Sequence, residues 1–150
     1  MRKAFVTGLL TTALFTASLV MPAPAVASDW PMVGGDFWEI TGVHVKDGGE
    51  FAYAKFLASE WKASQEFAKS KGWIKGYSVF ANAYPRKGEP ELYLVVILDR
   101  LATGPESEKR NDEFVAWKKK TTAQLEKESG DRLEIREIQS GLLLQEMKFK

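Results

Sequence analysis

Apolar and polar residues alternate with different periods along this chain, and the changes of period mark its predicted elements. Residues 37–45 hold Phe, Trp, Ile, Thr and Val in extended spacing before Asp47-Gly48-Gly49, which predicts a first strand. Residues 50–71 contain neither proline nor glycine. Their apolar side chains recur at helical spacing, which predicts a long amphipathic helix that ends at Gly72. Its inward stripe is expected at Ala54, Leu57, Trp61, Ser64 and Ala68.

The second half of the chain is predicted to form a hairpin, then a helix and a final strand. Residues 74–84 and 91–100 are β-type runs around a polar turn bounded by Pro85 and Pro90, which predicts a hairpin. Its second arm is apolar at every position from Leu92 to Leu98, so we expect it to be covered on both faces. Three further segments are a helix, an ambiguous turn or extended link, and a final strand: residues 107–129, 131–139 and 142–149.

The order strand, helix, strand, strand, helix, strand predicts an α+β fold of the ferredoxin-like βαββαβ type over residues 37–150. Right-handed crossovers would place both helices on one face of a four-stranded antiparallel sheet. The other face would then expose a large apolar surface, which soluble proteins seldom tolerate. We therefore expect a homodimer in which two sheets pack face to face.

This arrangement resembles the dimeric α/β-barrel superfamily, which includes the antibiotic-biosynthesis monooxygenase group and its haem-degrading relatives. The resemblance depends on the element order, on Val45-Lys46-Asp47-Gly48 after the first strand and on Gly72-Trp73 before the second. The haem-degrading relatives use an Asn, a Trp and a His that lies on a helix. His44 lies on a predicted strand, so no catalytic residue is carried over.

The N-terminal segment has the pattern of an export signal. Arg2 and Lys3 precede an uncharged stretch from Ala4 to Val20, and Ala25 and Ala27 stand where a signal peptidase reads small residues. The sequence predicts cleavage after residue 27 and a periplasmic or secreted bacterial protein, with residues 28–36 as an irregular lead-in. The alternative is a membrane anchor, which the threonines and the Pro-Ala tract disfavour.

Composition narrows the classes of function. Cleavage would leave 123 residues with 19 Lys and Arg against 20 Asp and Glu, so neither nucleic acid nor, after cleavage, an anionic membrane is an expected partner. The chain has no cysteine and one histidine, His44, so we expect no thiolate chemistry and no metal or cofactor site that needs paired imidazoles.

A small set of side chains could carry chemistry. His44 exchanges protons near neutral pH and, with Tyr93 and Asp99, forms the only acid–base set that the sequence suggests. For His44 a purely structural role, with a hydrogen bond to backbone or water, is the more common case. Four residues on or beside the first two strands are candidates for ligand contact: Trp38, His44, Asn82 and Tyr84.

These features favour a periplasmic dimer that binds a small apolar or aromatic molecule in a cleft between helices and sheet, without metal or cofactor. Two alternatives stay open. The first is a cofactor-independent monooxygenase-like enzyme whose apolar cleft orients an oxidisable substrate. The second is a structural or assembly protein without a small-molecule ligand. Whether the chain is an enzyme is therefore left open by its sequence.

Overall fold

A computed structural model of the protein describes residues 29–150, and the signal segment expected at residues 1–27 lies outside them. The described chain forms one four-stranded sheet in which every neighbouring pair of strands is antiparallel. The spatial order is β2-β3-β1-β4, which is compatible with the ferredoxin-like arrangement. The strands are β1 (Met32–Val45), β2 (Gly76–Ala81), β3 (Leu92–Leu98) and β4 (Arg136–Phe149).

Three helices connect the strands. The first is the predicted amphipathic helix, and a π-helical turn divides it into two parts. Its segments are α1 (Glu50–Phe56), the π turn (Leu57–Trp61) and α2 (Lys62–Ser70). The other two are α3 (Gly104–Lys118) and α4 (Thr122–Asp131), and a 3₁₀ turn over Arg132–Glu134 leads into β4. Within residues 29–150, no helix combines the length and the apolar character that crossing a bilayer requires.

The single helix expected over residues 107–129 is wrong, because the chain forms two helices there. Lys119 adopts a left-handed conformation with φ of 53°, which ends α3. Thr121 then caps α4: its side chain accepts a hydrogen bond from the backbone of Gln124, whose side chain accepts one from the backbone of Thr121. This reciprocal capping box satisfies two N–H groups that an uncapped helix would leave unpaired. Three helices, not two, therefore accompany the sheet.

The first and the last strand of the chain are longer than the pattern predicts. Residues 32–36 belong to β1, which corrects the expectation of an irregular lead-in up to Asp36. Met32 pairs with Phe149, and β4 begins at Arg136, so residues 136–139 of the ambiguous segment 131–139 are also strand. These residues extend the antiparallel pairing of β1 with β4, which has a register shift between Gly34 and Phe37.

The first helix packs on one face of the sheet. Val43 is fully buried, and Tyr53 and Leu94 are 2% and 8% exposed. These three side chains form the core cluster, against which Phe56 and Leu57 are packed. Leu94 and Val95 are adjacent in β3 and point to opposite faces, yet Val95 is only 3% exposed. The centre of β3 is therefore buried on both faces, whereas the other five residues of the strand keep partial exposure, and coverage of the whole strand stays a prediction.

Aromatic side chains join α3 to α2. The ring of Phe67 stacks on that of Trp117 at a centroid distance of 4.5 Å, and it also contacts Phe114 and Trp73. The Arg110 guanidinium lies over the Trp73 ring at 5.8 Å. Because α3 is fixed to a helix that packs on the sheet, the two helices lie on the same side of it.

The alternate side chains of the strands form the opposite face of the sheet, which we call the open face. Trp38 pairs with Ile97 and Leu144, and Ile40 pairs with Leu142, so these side chains share the open face. Phe80, Leu142 and Leu144 are each about half exposed. The open face therefore combines several large apolar side chains with solvent contact.

An ion-pair cluster ties the chain after β3 to α3, and it supports a prediction about acid stability. Hydrogen bonds from Arg100 and Arg110 lower the pKa of Glu106 from 4.5 to about 2. A carboxylate with a depressed pKa stabilises the fold above its ordinary pKa and loses this effect as the pH falls through its folded-state value. Stability that depends on Glu106 should thus be lost between pH 4.5 and about pH 2.

We expect Glu106→Gln to unfold with a flatter pH dependence across this acid range, as measured by urea denaturation at a series of pH values. Glu108→Gln removes the same charge two residues further along α3 and serves as the control. An acid profile of Glu106→Gln that matches those of the native protein and of the control would show that the cluster does not contribute to stability.

Candidate functional site

A cleft of about 740 Å³ lies between the first helix and the sheet. The helix supplies one wall, and the ends of β1, β2 and β3 supply the other. Most of the lining is apolar or aromatic, and its central side chains are Leu57, Ala58, Trp61, Tyr77, Val79 and Leu92. The volume falls within the range of roughly 300–1,000 Å³ that is typical of sites for small molecules.

The π turn positions the helical wall of the cleft. Leu57, Ala58 and Trp61 all lie in this turn, and the Trp61 ring meets that of Tyr77 edge-on at a centroid distance of 5.4 Å. Ser59 donates a side-chain hydrogen bond to the carbonyl of Lys55, four residues earlier in the helix. Such bonds compete with the regular helical pattern, and π turns occur frequently at functional sites.

A hydrogen-bonded pair of ionisable side chains lies in the wall of the cleft at the end of β1. Nδ1 of His44 is 2.8 Å from Oε1 and 3.0 Å from Oε2 of Glu91, the residue just before β3. The backbone N–H of Val45 donates to Oε2 at 3.2 Å. The side chains of His44 and Glu91 are 37% and 41% exposed, so both can be reached from solvent.

The environment of Glu91 favours its charged form. Partial burial raises the pKa of Glu91, but hydrogen bonds from His44 and from the backbone N–H groups of Glu91 and Val45 lower it by more. Its pKa therefore lies below the usual value. An ionised carboxylate can only accept hydrogen bonds, so Nδ1 of His44 must carry a proton. In the neutral imidazole, Nε2 is then a hydrogen-bond acceptor.

Charged residues mark the rim of the cleft. Asp47 lies in the turn before α1, Glu50 is the first residue of α1, and Lys62 lies just after the π turn. Tyr77 donates its hydroxyl hydrogen to Glu66, which raises the pKa of the phenol. The phenol is thus engaged at the edge of the site, and the interior of the cleft is bounded mainly by carbon.

The four residues singled out for ligand contact lie in different places. His44 lines the cleft, whereas Trp38 lies on the open face of the sheet. Asn82 follows β2, and its side chain donates to the carbonyl of Pro90 at 3.3 Å and accepts from the backbone of Tyr84 at 3.2 Å. Tyr84 is 91% exposed in the same loop. Asn82 thus organises the hairpin loop, and contacts of Trp38, Asn82 and Tyr84 with a ligand stay predictions.

Asp99 lies far from the other two members of the suggested acid–base set, His44 and Tyr93. Tyr93 pairs with Gly42, two residues before His44 on β1, so Tyr93 and His44 are diagonal neighbours in the sheet and their joint role stays a prediction. Asp99 follows the far end of β3 and lies eight residue steps of extended chain after Glu91, the partner of His44. At about 3.3 Å per residue this separation is roughly 26 Å.

Sequence reasoning missed Glu91 as a functional partner, because the pairing depends on strand register. Val43 lies opposite Leu92, so the next residue on β1, His44, comes beside Glu91. The residues around Glu91 give no signal of this contact. Ala58 and Tyr77 were also missed, and the apolar period of the helix could have indicated only the first of them.

Two further observations bear on the class of protein. Within residues 29–150, no three His, Asp or Glu side chains converge in a way that could hold a metal ion. Of the protein families, curated proteins and solved structures with which the chain was compared, none matches it. The fold and the cleft therefore define a small α+β protein with an apolar site, and its function must be inferred from that site.

Proposed function

We propose that this protein is exported, forms a homodimer and binds one small apolar or aromatic molecule in the cleft between the first helix and the sheet. The observation that carries the proposal is the cleft itself, about 740 Å³ of mainly apolar lining interrupted by one hydrogen-bonded pair, His44 and Glu91. Sites of this kind use apolar area for affinity and a few polar groups for orientation.

The experiment that tests ligand binding has two steps. Native mass spectrometry of the protein isolated from its own host should show a bound molecule with a stoichiometry of one per chain. Calorimetric titration with small aromatics should then give saturable binding that competes with this molecule. The absence of a bound molecule, together with no binding of any compound, would favour the purely structural role.

The second candidate is a cofactor-independent monooxygenase-like enzyme, and the His44–Glu91 pair is the observation that favours it. A histidine oriented by a carboxylate is a suitable general base, and loss of such a group lowers rates by roughly 10²–10⁴-fold. Dioxygen consumption with a panel of quinols, and its loss in His44→Ala, would support the enzyme. Binding without consumption would support the binding protein.

Homodimer formation through the open face is part of this proposal, together with the ferredoxin-like assignment and the dimeric α/β barrel. Sedimentation at micromolar concentration should give twice the mass of the chain. Leu144→Asp, at an open-face position that is 50% exposed, should dissociate the dimer. Leu133→Asp is the matched control, because Leu133 is 52% exposed but lies in the 3₁₀ turn. A native protein that sediments as a monomer would contradict the proposal.

Export is the remaining part, and the intact mass of the secreted or periplasmic product tests it. We expect a mass that lacks residues 1–27, since Ala25 and Ala27 satisfy the signal-peptidase rule. A product that retains this segment in a membrane fraction would instead support the anchor.

A further inference from the structure

We infer that the ligand of the cleft is a neutral apolar molecule that carries a hydrogen-bond donor, an O–H or N–H group, which it gives to Nε2 of His44. This inference rests on the proposed function, because it specifies the chemistry of the molecule that the cleft binds. Its basis is the way in which Glu91 fixes the hydrogen atoms of the imidazole.

The geometry leaves one ring nitrogen for the ligand. Both carboxylate oxygens of Glu91 lie within 3.0 Å of Nδ1, and the backbone N–H of Val45 holds the same carboxylate in place. Within residues 29–150, the imidazole makes its hydrogen bonds through Nδ1 alone. A neutral histidine that donates from Nδ1 offers a lone pair at Nε2. Glu91 is therefore a positioning residue, and His44 is the group that contacts the ligand.

The rest of the cleft explains why the ligand is apolar and why it is neutral. Its lining from the π turn and from β2 is apolar, so the body of the molecule must be apolar as well. Asp47 and Glu50 lie at the rim together with Glu91, against one lysine, Lys62. An anionic ligand would meet more negative than positive charge there, so a neutral donor is favoured.

Three probes of similar size separate these properties: indole, which donates one hydrogen bond; 1-methylindole, which donates none; and benzofuran, whose oxygen can only accept. Calorimetric titration of the purified protein should show indole binding on the order of fivefold more tightly than the other two, the net effect of one hydrogen bond. His44→Phe keeps a ring of similar volume and removes the acceptor. It should bring the three affinities to within about twofold of one another.

The tautomer can be read independently, because His44 is the only histidine and its ¹⁵N–¹H correlation spectrum needs no assignment. We expect the pattern of a neutral ring with the hydrogen on Nδ1 at a pH where the imidazole is uncharged. In Glu91→Gln the new amide can donate or accept, so the spectrum should shift toward a mixture of tautomers. The preference for indole should fall with it, although the apolar lining is unchanged.

The possible outcomes distinguish failure of the donor requirement from failure of the proposed binding function. If indole and 1-methylindole bind equally well and His44→Phe leaves their ratio unchanged, the donor requirement is wrong but the cleft is still a binding site. If none of the probes binds, the proposed function and this inference both fail. A neutral ring with its hydrogen on Nε2 in the native protein overturns the inference whatever the affinities are, and this measurement does not depend on the folding of any variant.

Discussion

Replacement of Tyr53 by alanine should lower the free energy of unfolding by about 3–5 kcal/mol, the usual cost of removing a large buried aromatic side chain. Tyr53 is 2% exposed, stacks on Phe56 at a centroid distance of 5.7 Å and contacts the cluster formed with Val43 and Leu94. Burial also raises the pKa of its phenol. Because small domains have total stabilities of about 5–15 kcal/mol, this loss should be large enough to populate unfolded protein.

Phe51→Ala is the matched control for Tyr53→Ala. Phe51 lies two residues earlier in α1 and is 77% exposed, so its loss should change stability by less than about 1 kcal/mol. Urea denaturation followed by circular dichroism measures both variants. Equal losses of stability in the two variants would mean that the first helix does not pack on the sheet through Tyr53.

The helix that carries Tyr53 shows what apolar periodicity can and cannot predict. Its limits follow from the absence of proline and glycine, and the structure confirms a helix at residues 50–70. The sequence does not show which face of the helix is turned toward the sheet, because the apolar side chains of the helix contact three different neighbours. Tyr53 faces the sheet, Ala54 and Ala58 line the cleft, and Phe67 meets α3. One expected stripe could not describe these three directions.

The break between α3 and α4 could have been predicted in part. Thr121 and Gln124 have the spacing of a capping box, which is visible in the sequence as a helix start. The end of α3 has no such signal, because Lys119 takes a positive φ that is usual for glycine or asparagine. Long-range pairing likewise made residues 32–36 a strand, although Pro31, Gly34 and Gly35 favour an irregular chain.

The candidate site could likewise be predicted from the sequence only in part. His44 was identified because it is the only histidine, which is a property of composition. Glu91 depends on the register between β1 and β3, and the cleft depends on how far the first helix stands from β2. Neither quantity is encoded in local patterns, so a sequence can nominate the polar group but not its partner or its cavity.

Replacement of Ala58 by tryptophan should weaken ligand binding in the cleft tenfold or more. Ala58 lies in the π turn and lines the cleft, so an indole side chain there would occupy space that the ligand needs. Loss of about 60 Å² of apolar contact costs roughly 1.5 kcal/mol, which corresponds to about a tenfold change in Kd. Calorimetric titration with the small aromatic that binds the native protein measures the change.

Two further variants make this test specific to the cleft. Ala52→Trp introduces the same bulk at an exposed position of α1 that does not line the cleft, so it should leave the affinity within about twofold of the native value. Trp38→Ala removes the aromatic side chain that the sequence favours for ligand stacking, but it acts on the open face of the sheet. If Trp38→Ala weakens binding and Ala58→Trp does not, the ligand binds on the open face and the cleft is not its site. Because Ala58 lines the cleft and Trp38 lies on the opposite face of the sheet, a ligand at one position cannot contact both residues, so only one of the two substitutions should weaken binding.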